Sequence, residues 1–412
     1  MQDCTYLIVG SSHAGLTALD AIRMIDPEAP LIMATREDHL PYSPTVLPYV
    51  VSGRSIPKKV ALRDEDYFKR QNVAFLRNAE LKSLDVAAST ARFEGGANVR
   101  YEKLLLATGA QPSIPPIPGL KDAFFHVLRT MDDALNLKSA MGSAKSALVL
   151  GAGLIGTHAA ENMAEAGVKV TIVEAKGQVL PGYFDKDASA LIETAFRKHG
   201  IALEFGRSVK EIKQGRAVLE DGAELPFDLL LIATGVRPQL SFLDGTGVKT
   251  ANGIMVDEMQ RTSAANVWAA GDCAEARMFQ AQGTGVAGIL PIAVEQGRIA
   301  GQAMVGDHGV KAFPGSVLLN TYSFFGQQAI SVGIGEVADG ETCLRIDEAA
   351  GTYLKIVLKD GKLMGVASVN NPIDPGILWQ LILRRTDLSE VKDRFLADPK
   401  AVGRMLMSRL WR

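Results

Sequence analysis

An α/β fold with two parallel-sheet units is predicted by two observations. An apolar strand running into a glycine-punctuated turn occurs at residues 6–15 (YLIVGSSHAG) and again at 147–156 (ALVLGAGLIG). Each copy is followed by a matching closing phrase, LLLATGAQP at 104–112 and LLLIATGVRP at 229–238. One such glycine pattern is weak evidence because glycine is common, whereas two ordered pairs in one chain are strong. Each copy is therefore expected to open a Rossmann-like dinucleotide-binding domain. Two dinucleotides held by one polypeptide imply chemistry between them, and a flavin with a nicotinamide is the usual couple.

The second copy carries the full spacing. Gly151 permits the tight turn, Gly153 lets the backbone approach a pyrophosphate, and Gly156 lets the helix pack closely on the sheet. Unpaired N–H groups at the helix start then favour phosphate. The run VTIVEA at 170–175 is a buried-strand pattern that places Glu174 about 20 residues beyond the turn, where a carboxylate can accept from both ribose hydroxyls and would repel a 2′-phosphate. NADH is thus expected over NADPH, with Lys176 the nearby cation that could soften the preference. Gly235 closes the second copy.

The first copy departs from the pattern at its middle position, which is Ser12, while Gly10 and Gly15 keep the turn and the close packing. The next strand, PLIMATRE at 30–37, ends in Arg36 and Glu37 rather than one unambiguous acid. Glu37 is the candidate for the adenosine ribose.

The remaining chain organises around these copies. PSIPPIPG at 112–119 is a proline-rich crossing with extended backbone. From about residue 315, alternating strands such as TYLKIVL and KLMGVASV are joined by the turn KDGK, and a helical, arginine-bearing tail follows. The expected division is a discontinuous domain built on the first copy (1–118 and 242–314), an inserted domain built on the second copy (119–241) and a small α+β C-terminal domain (315–412) that serves as an interface.

Composition agrees. At 412 residues the chain can bury more than one core, and 47% hydrophobic residues, 40 glycines and a mean hydropathy of +0.10 suit a glycine-rich α/β enzyme. No apolar run reaches the length of a membrane span, and the chain enters a strand directly, so a soluble, cytoplasmic protein is expected. A formal charge of −2 gives no footprint for nucleic acid. Three scattered cysteines cannot build a disulfide framework or an iron–sulfur cluster, and no metal site is expected.

With AAGDCAEA at 269–276 added, the ordered motifs resemble the two-dinucleotide-binding-domain flavoprotein oxidoreductases over nearly the whole chain. The similarity is greatest to the branch holding NADH:rubredoxin and ferredoxin reductases, the flavin module of nitrite reductase, and NADH oxidases. The resemblance implies that the first copy binds FAD and the second NAD(H). It further implies that Asp272, with Gly271, meets the ribityl chain, and that Thr108 and Gly109 line the flavin domain.

Differences from the family define the expected chemistry. Disulfide reductases carry a C-x-x-x-x-C pair that is missing here, and in the one-cysteine branch the segment SPTVLPY at 43–49 places Thr45 where the thiol stands. A hydroxyl cannot replace a thiolate as a redox relay. Tyr49 and His158 stand where the ferredoxin reductase branch has a lysine and a glutamate, which reads either as a Tyr–His pair at the flavin face or as a satisfied helix histidine and a packing tyrosine. No acid, base or nucleophile is required for hydride transfer itself.

The expected activity is therefore that of a FAD-dependent NAD(H):acceptor oxidoreductase. The overall cast resembles the NAD-linked flavin subunit of multisubunit 2-oxoacid:acceptor oxidoreductases of the phenylglyoxylate dehydrogenase type, which implies an iron–sulfur protein as the acceptor. A free-standing NADH:rubredoxin or ferredoxin reductase and a redox-sensing module without turnover remain as alternatives. From Arg384 to Arg412 the tail holds eight Lys or Arg against four Asp or Glu, so Arg384, Arg385, Arg404 and Arg409 either mark a docking surface for an acidic partner or are a solvated helix face.

Overall fold

The strand Gln2–Val9 is the centre of the first sheet. It pairs in parallel with Leu31–Ala34 on one side and with Asn98–Leu106 on the other. Val73–Leu76 extends the sheet beyond Leu31–Ala34, and the antiparallel strands Thr90–Phe93 and Leu81–Asp85 extend it beyond the start of Asn98–Leu106. Val267–Ala269 pairs in parallel with Leu104–Leu106. The segment leading to Asp272 therefore joins the sheet of the first copy although it follows the second copy in sequence. In the computed structural model, residues 1–410 are described, with backbone alone for Arg409 and Leu410. The expected tail thus falls partly outside the described residues, at the Arg409 side chain and Arg412.

Two helices cover this sheet. In helix Leu290–Val305, a Cβ on Gly297 would lie 2.2 Å from the Ala14 carbonyl oxygen, and one on Gly301 would lie 2.5 Å from that of Ala18. Glycine at these two positions, one turn apart, lets the helix press backbone to backbone on His13–Ile25. Residues 1–111, 129–131 and 236–316 form one unit.

The second unit comprises residues 112–128, 132–235 and 317–412, so the segment of the second glycine turn and the C-terminal segment share it. Its parallel sheet has the order Ala202–Phe205, Lys169–Glu174, Ser146–Leu150, Leu229–Ile232. A five-stranded antiparallel sheet spans Leu319 to Val369. Tyr353 and Lys355 from this sheet hydrogen-bond Asp185 Oδ2 at 2.6 and 3.0 Å, while Asp185 Oδ1 caps helix Lys186–Lys198 by accepting from the Ala188 amide. Phe196 on that helix meets the Phe325 ring edge-on, centroids 5.2 Å apart. These long-range contacts physically join the two segments. The KDGK hairpin turns through Asp360 and Gly361, both at positive φ (50° and 70°), as a two-residue loop between twisted strands requires.

Two candidate nucleotide sites

The first glycine turn stands at the C-terminal end of the central strand. Gly10 has φ +115°, and a Cβ there would lie 2.0 Å from the Ala107 carbonyl oxygen; a Cβ on Gly15 would lie 1.9 Å from that of Gly10. No other residue fits either place. Ser12 is the N-cap of helix His13–Ile25 but makes no capping bond, because its hydroxyl instead reaches the Tyr42 carbonyl at 3.4 Å. The opening amides of the helix thus have no side-chain acceptor from the cap residue.

A cleft of about 370 Å³ opens there, within the ~300–1,000 Å³ typical of small-molecule sites. Gly10, Ser12, Glu37, Thr45, Thr108, Gly109, Gly271 and Asp272 all line it. Gly15 supports the turn from below, and Tyr49 lies outside the lining. Tyr49 is half exposed, with the Arg54 guanidinium 5.5 Å from its ring centre. Thr45 shares a hydrogen bond with Ser43 at 2.7 Å.

Sequence reasoning missed the groups that hold these residues in place. Tyr42 donates its hydroxyl proton to Glu37 Oε2 at 2.5 Å and accepts from the Met131 amide at 2.8 Å. Burial first, and Glu37 second, push its phenol above the ordinary range. Arg129 donates to Asp272 Oδ2 at 3.0 Å and to the Ala110 carbonyl at 2.9 Å. Gln296 Oε1 accepts from the Gly271 amide at 2.8 Å. Arg129 and Met131 lie far from their partners in sequence, and neither sits in a motif with a spacing rule. The glutamine before Gly297, on a helix of small residues, was the one faint signal.

Cys273, beside Asp272, is fully buried; its thiol donates to the carbonyls of Leu106 and Ala270 at 3.3 and 3.4 Å. Burial raises its pKa, and burial likewise pushes Cys4 up to about 12. Cys343 is partly exposed.

In the second unit Gly151 has φ +106°, and a Cβ there would stand 2.4 Å from the Ala233 carbonyl oxygen; one on Gly156 would stand 2.1 Å from that of Gly151. Gly153 is the N-cap of helix Leu154–Glu165, with no side-chain capping bond and open space where a Cβ would be. Glu174 ends its strand and is held twice: Oε2 accepts from the Ala152 amide at 2.9 Å and Oε1 from the Lys176 amide at 2.8 Å. The carboxylate is therefore fixed beside the glycine turn with lone pairs left over for further donors. Gly235 is exposed at φ +106°, its carbonyl accepting from the Ser113 amide at 2.9 Å. His158 packs against the edge of the buried Tyr322, centroids 4.7 Å apart, and its Nδ1 is 3.9 Å from Glu161 Oε2. Glu161 Oε1 accepts from the Phe325 amide at 2.6 Å.

Both turns fit a dinucleotide pyrophosphate: each offers a helix start without a capping side chain, and a tight glycine turn at a strand end. Residues 4–297 match the family described as pyridine nucleotide-disulphide oxidoreductase. The chain belongs to this family. It is an oxidoreductase of the kind that uses FAD and NAD(H). It is 53% identical to the NADH-dependent phenylglyoxylate dehydrogenase subunit epsilon of Aromatoleum evansii over 418 residues, covering 100% of this chain and 99% of that one. A probable ferredoxin reductase of Castellaniella defragrans is 29% identical, with 96% of each chain covered. The solved covalent putidaredoxin reductase–putidaredoxin complex shares the fold, with a TM-score of 0.88, 23% identity and 99% of each chain covered. Among the described residues no helix is long and apolar enough to cross a membrane.

Proposed function

We propose that this chain exchanges electrons between NAD(H) and an iron–sulfur protein partner, as the NAD-linked flavin subunit of a multisubunit 2-oxoacid:acceptor oxidoreductase. One observation carries the reading. Two glycine turns of matched geometry, at Gly10 and Gly151, each open onto a helix start that no side chain caps. The full-length similarity to a subunit of an NADH-dependent dehydrogenase supports the partner.

When bound, FAD supplies two-electron exchange with the nicotinamide and one-electron exchange with an iron–sulfur centre. The chain's own residues bind and orient. Backbone amides after Gly10 and Ser12, with Gly15 packed beneath them, take the FAD pyrophosphate. Glu37, fixed by Tyr42, accepts from the adenosine ribose, while Thr108, Gly109, Gly271 and Asp272 line the remainder. In the second unit Gly151, Gly153 and Gly156 shape the cradle for the NAD(H) pyrophosphate, Gly235 bounds it, and Glu174 accepts from the ribose hydroxyls and repels a 2′-phosphate.

Thr45 replaces the relay thiol, and Cys4 and Cys273 are too buried and too weakly acidic to serve as one. Electrons therefore leave without a cysteine relay. A protein working alone with a diffusing ferredoxin or rubredoxin would use the same residues, a reading favoured by the end-to-end similarity to a ferredoxin reductase. Purification of the native protein decides between them: co-elution with iron–sulfur and 2-oxoacid-oxidising subunits supports the complex, and elution alone with full activity towards a diffusing carrier overturns it.

A further inference from the structure

The polar side chains of the first cleft are largely paired with one another. Tyr42 holds Glu37, Arg129 holds Asp272, Thr45 and Ser43 hold each other, and Ser12 reaches a carbonyl. Thr108 Oγ1 is buried on the cleft wall without a hydrogen-bond partner among the described residues. The same holds for His13. It lines the same cleft, its Nε2 is shut away from solvent, and that atom has no hydrogen-bond partner among the described residues.

We propose that His13 Nε2 hydrogen-bonds the uncharged half of the bound flavin nucleotide, its ribityl chain or ring, and so is a binding and tuning contact of this site. The proposal rests on the reading of the first cleft as the FAD site. A buried ring nitrogen without a partner is costly in either tautomer, so it persists only where something else completes its bonding.

The chemistry also says which half it meets. Burial lowers the imidazole pKa below its ordinary value, against the opposing pull of Asp272, so the ring is neutral at pH 7. A neutral imidazole offers one N–H or one lone pair and adds no second positive charge beside Arg129. That suits hydroxyls and ring carbonyls better than a pyrophosphate, for which the uncapped backbone amides are already available.

The test uses the full chain, freed of flavin and then loaded with FAD or with ADP, which lacks the flavin half. His13→Ala should weaken FAD binding about tenfold, roughly 1.4 kcal/mol, leave ADP binding unchanged, and recover most of the loss as His13→Asn. In wild type carrying isotope-labelled histidine, only six imidazoles report, and the His13 Nε2 resonance should move with FAD but not with ADP. Unchanged FAD affinity in His13→Ala, equal weakening towards ADP, or an unmoved resonance overturns the proposal. Should His13→Ala not fold, the wild-type resonance decides alone. Failure of wild type to bind FAD would instead overturn the underlying site reading.

Discussion

Arg129 ties Asp272 to the closing phrase of the first copy: one guanidinium donates to Asp272 Oδ2 at 3.0 Å and to the Ala110 carbonyl at 2.9 Å. Both side chains are largely buried, 17% and 21% exposed, so removing one partner would leave the other charge poorly solvated and uncompensated. Residues 129–131 are the short stretch of the inserted segment that belongs to the first unit, and they supply both this clamp and the Met131 amide on Tyr42.

Arg129→Ala should accordingly weaken FAD binding by about tenfold to a hundredfold, or about 1.4–2.8 kcal/mol, with Arg129→Lys intermediate because lysine cannot reach both acceptors in one plane. Titration of the flavin-free protein with FAD, followed by flavin fluorescence, measures this. Wild-type affinity in Arg129→Ala would remove Asp272 positioning from the account.

Glu174 is held by two backbone amides, so its replacement loosens the turn as well as removing the ribose acceptor. Glu174→Arg should raise the NADH KM at least about tenfold and improve kcat/KM for NADPH, since a cation replaces the group that repels the 2′-phosphate. Steady-state kinetics with an artificial acceptor and both nucleotides provide the comparison. Equal use of NADPH by wild type would contradict the specificity assigned to this carboxylate.

Thiol chemistry should be silent. Alkylation at neutral pH should reach Cys343, spare Cys4 and Cys273, and leave NADH:dye activity nearly intact. Anaerobic NADH should produce no long-wavelength thiolate-to-flavin band; a band abolished by alkylation would show a cysteine taking part.

His126 is buried, and desolvation lowers its pKa against the weaker opposing effect of Asp133. The unfolded chain takes up this proton near ~6.5 and the folded chain only at lower pH, so stability is full above that value and declines as pH falls below it. His126→Phe should flatten the decline below about pH 6.5, as read from denaturant midpoints. An unaltered slope would mean that His126 contributes nothing to it. Asp185, whose pKa is lowered by its Tyr353, Ala188 and Lys355 bonds despite opposing desolvation, acts in a separate window below ~3.8.

Local signals were legible in the sequence. The strand–turn–helix spacing located both glycine turns because Gly10 and Gly151 need positive φ and Gly15 and Gly156 have no room for a Cβ. KDGK marked its hairpin for the same backbone reason. Arg129, Tyr42 and Met131 were not legible: each acts across the chain, Arg129 on Asp272 and Met131 on Tyr42, where no periodicity records the contact. That the segment of the second glycine turn and the C-terminal segment share one unit was hidden likewise, since Asp185 meets Tyr353 and Lys355 only once the chain is folded.

The central claim is electron exchange between NAD(H) and an iron–sulfur protein through this chain. Its most direct test is anaerobic rapid mixing of the FAD-loaded protein with NADH and the native iron–sulfur partner, following flavin and iron–sulfur absorbance together. The account predicts rapid flavin bleaching by NADH, much slower bleaching by NADPH, and bleaching of the partner only when this chain is present. NADH binding without flavin bleaching, or a reduced flavin that leaves the partner oxidised, would contradict it.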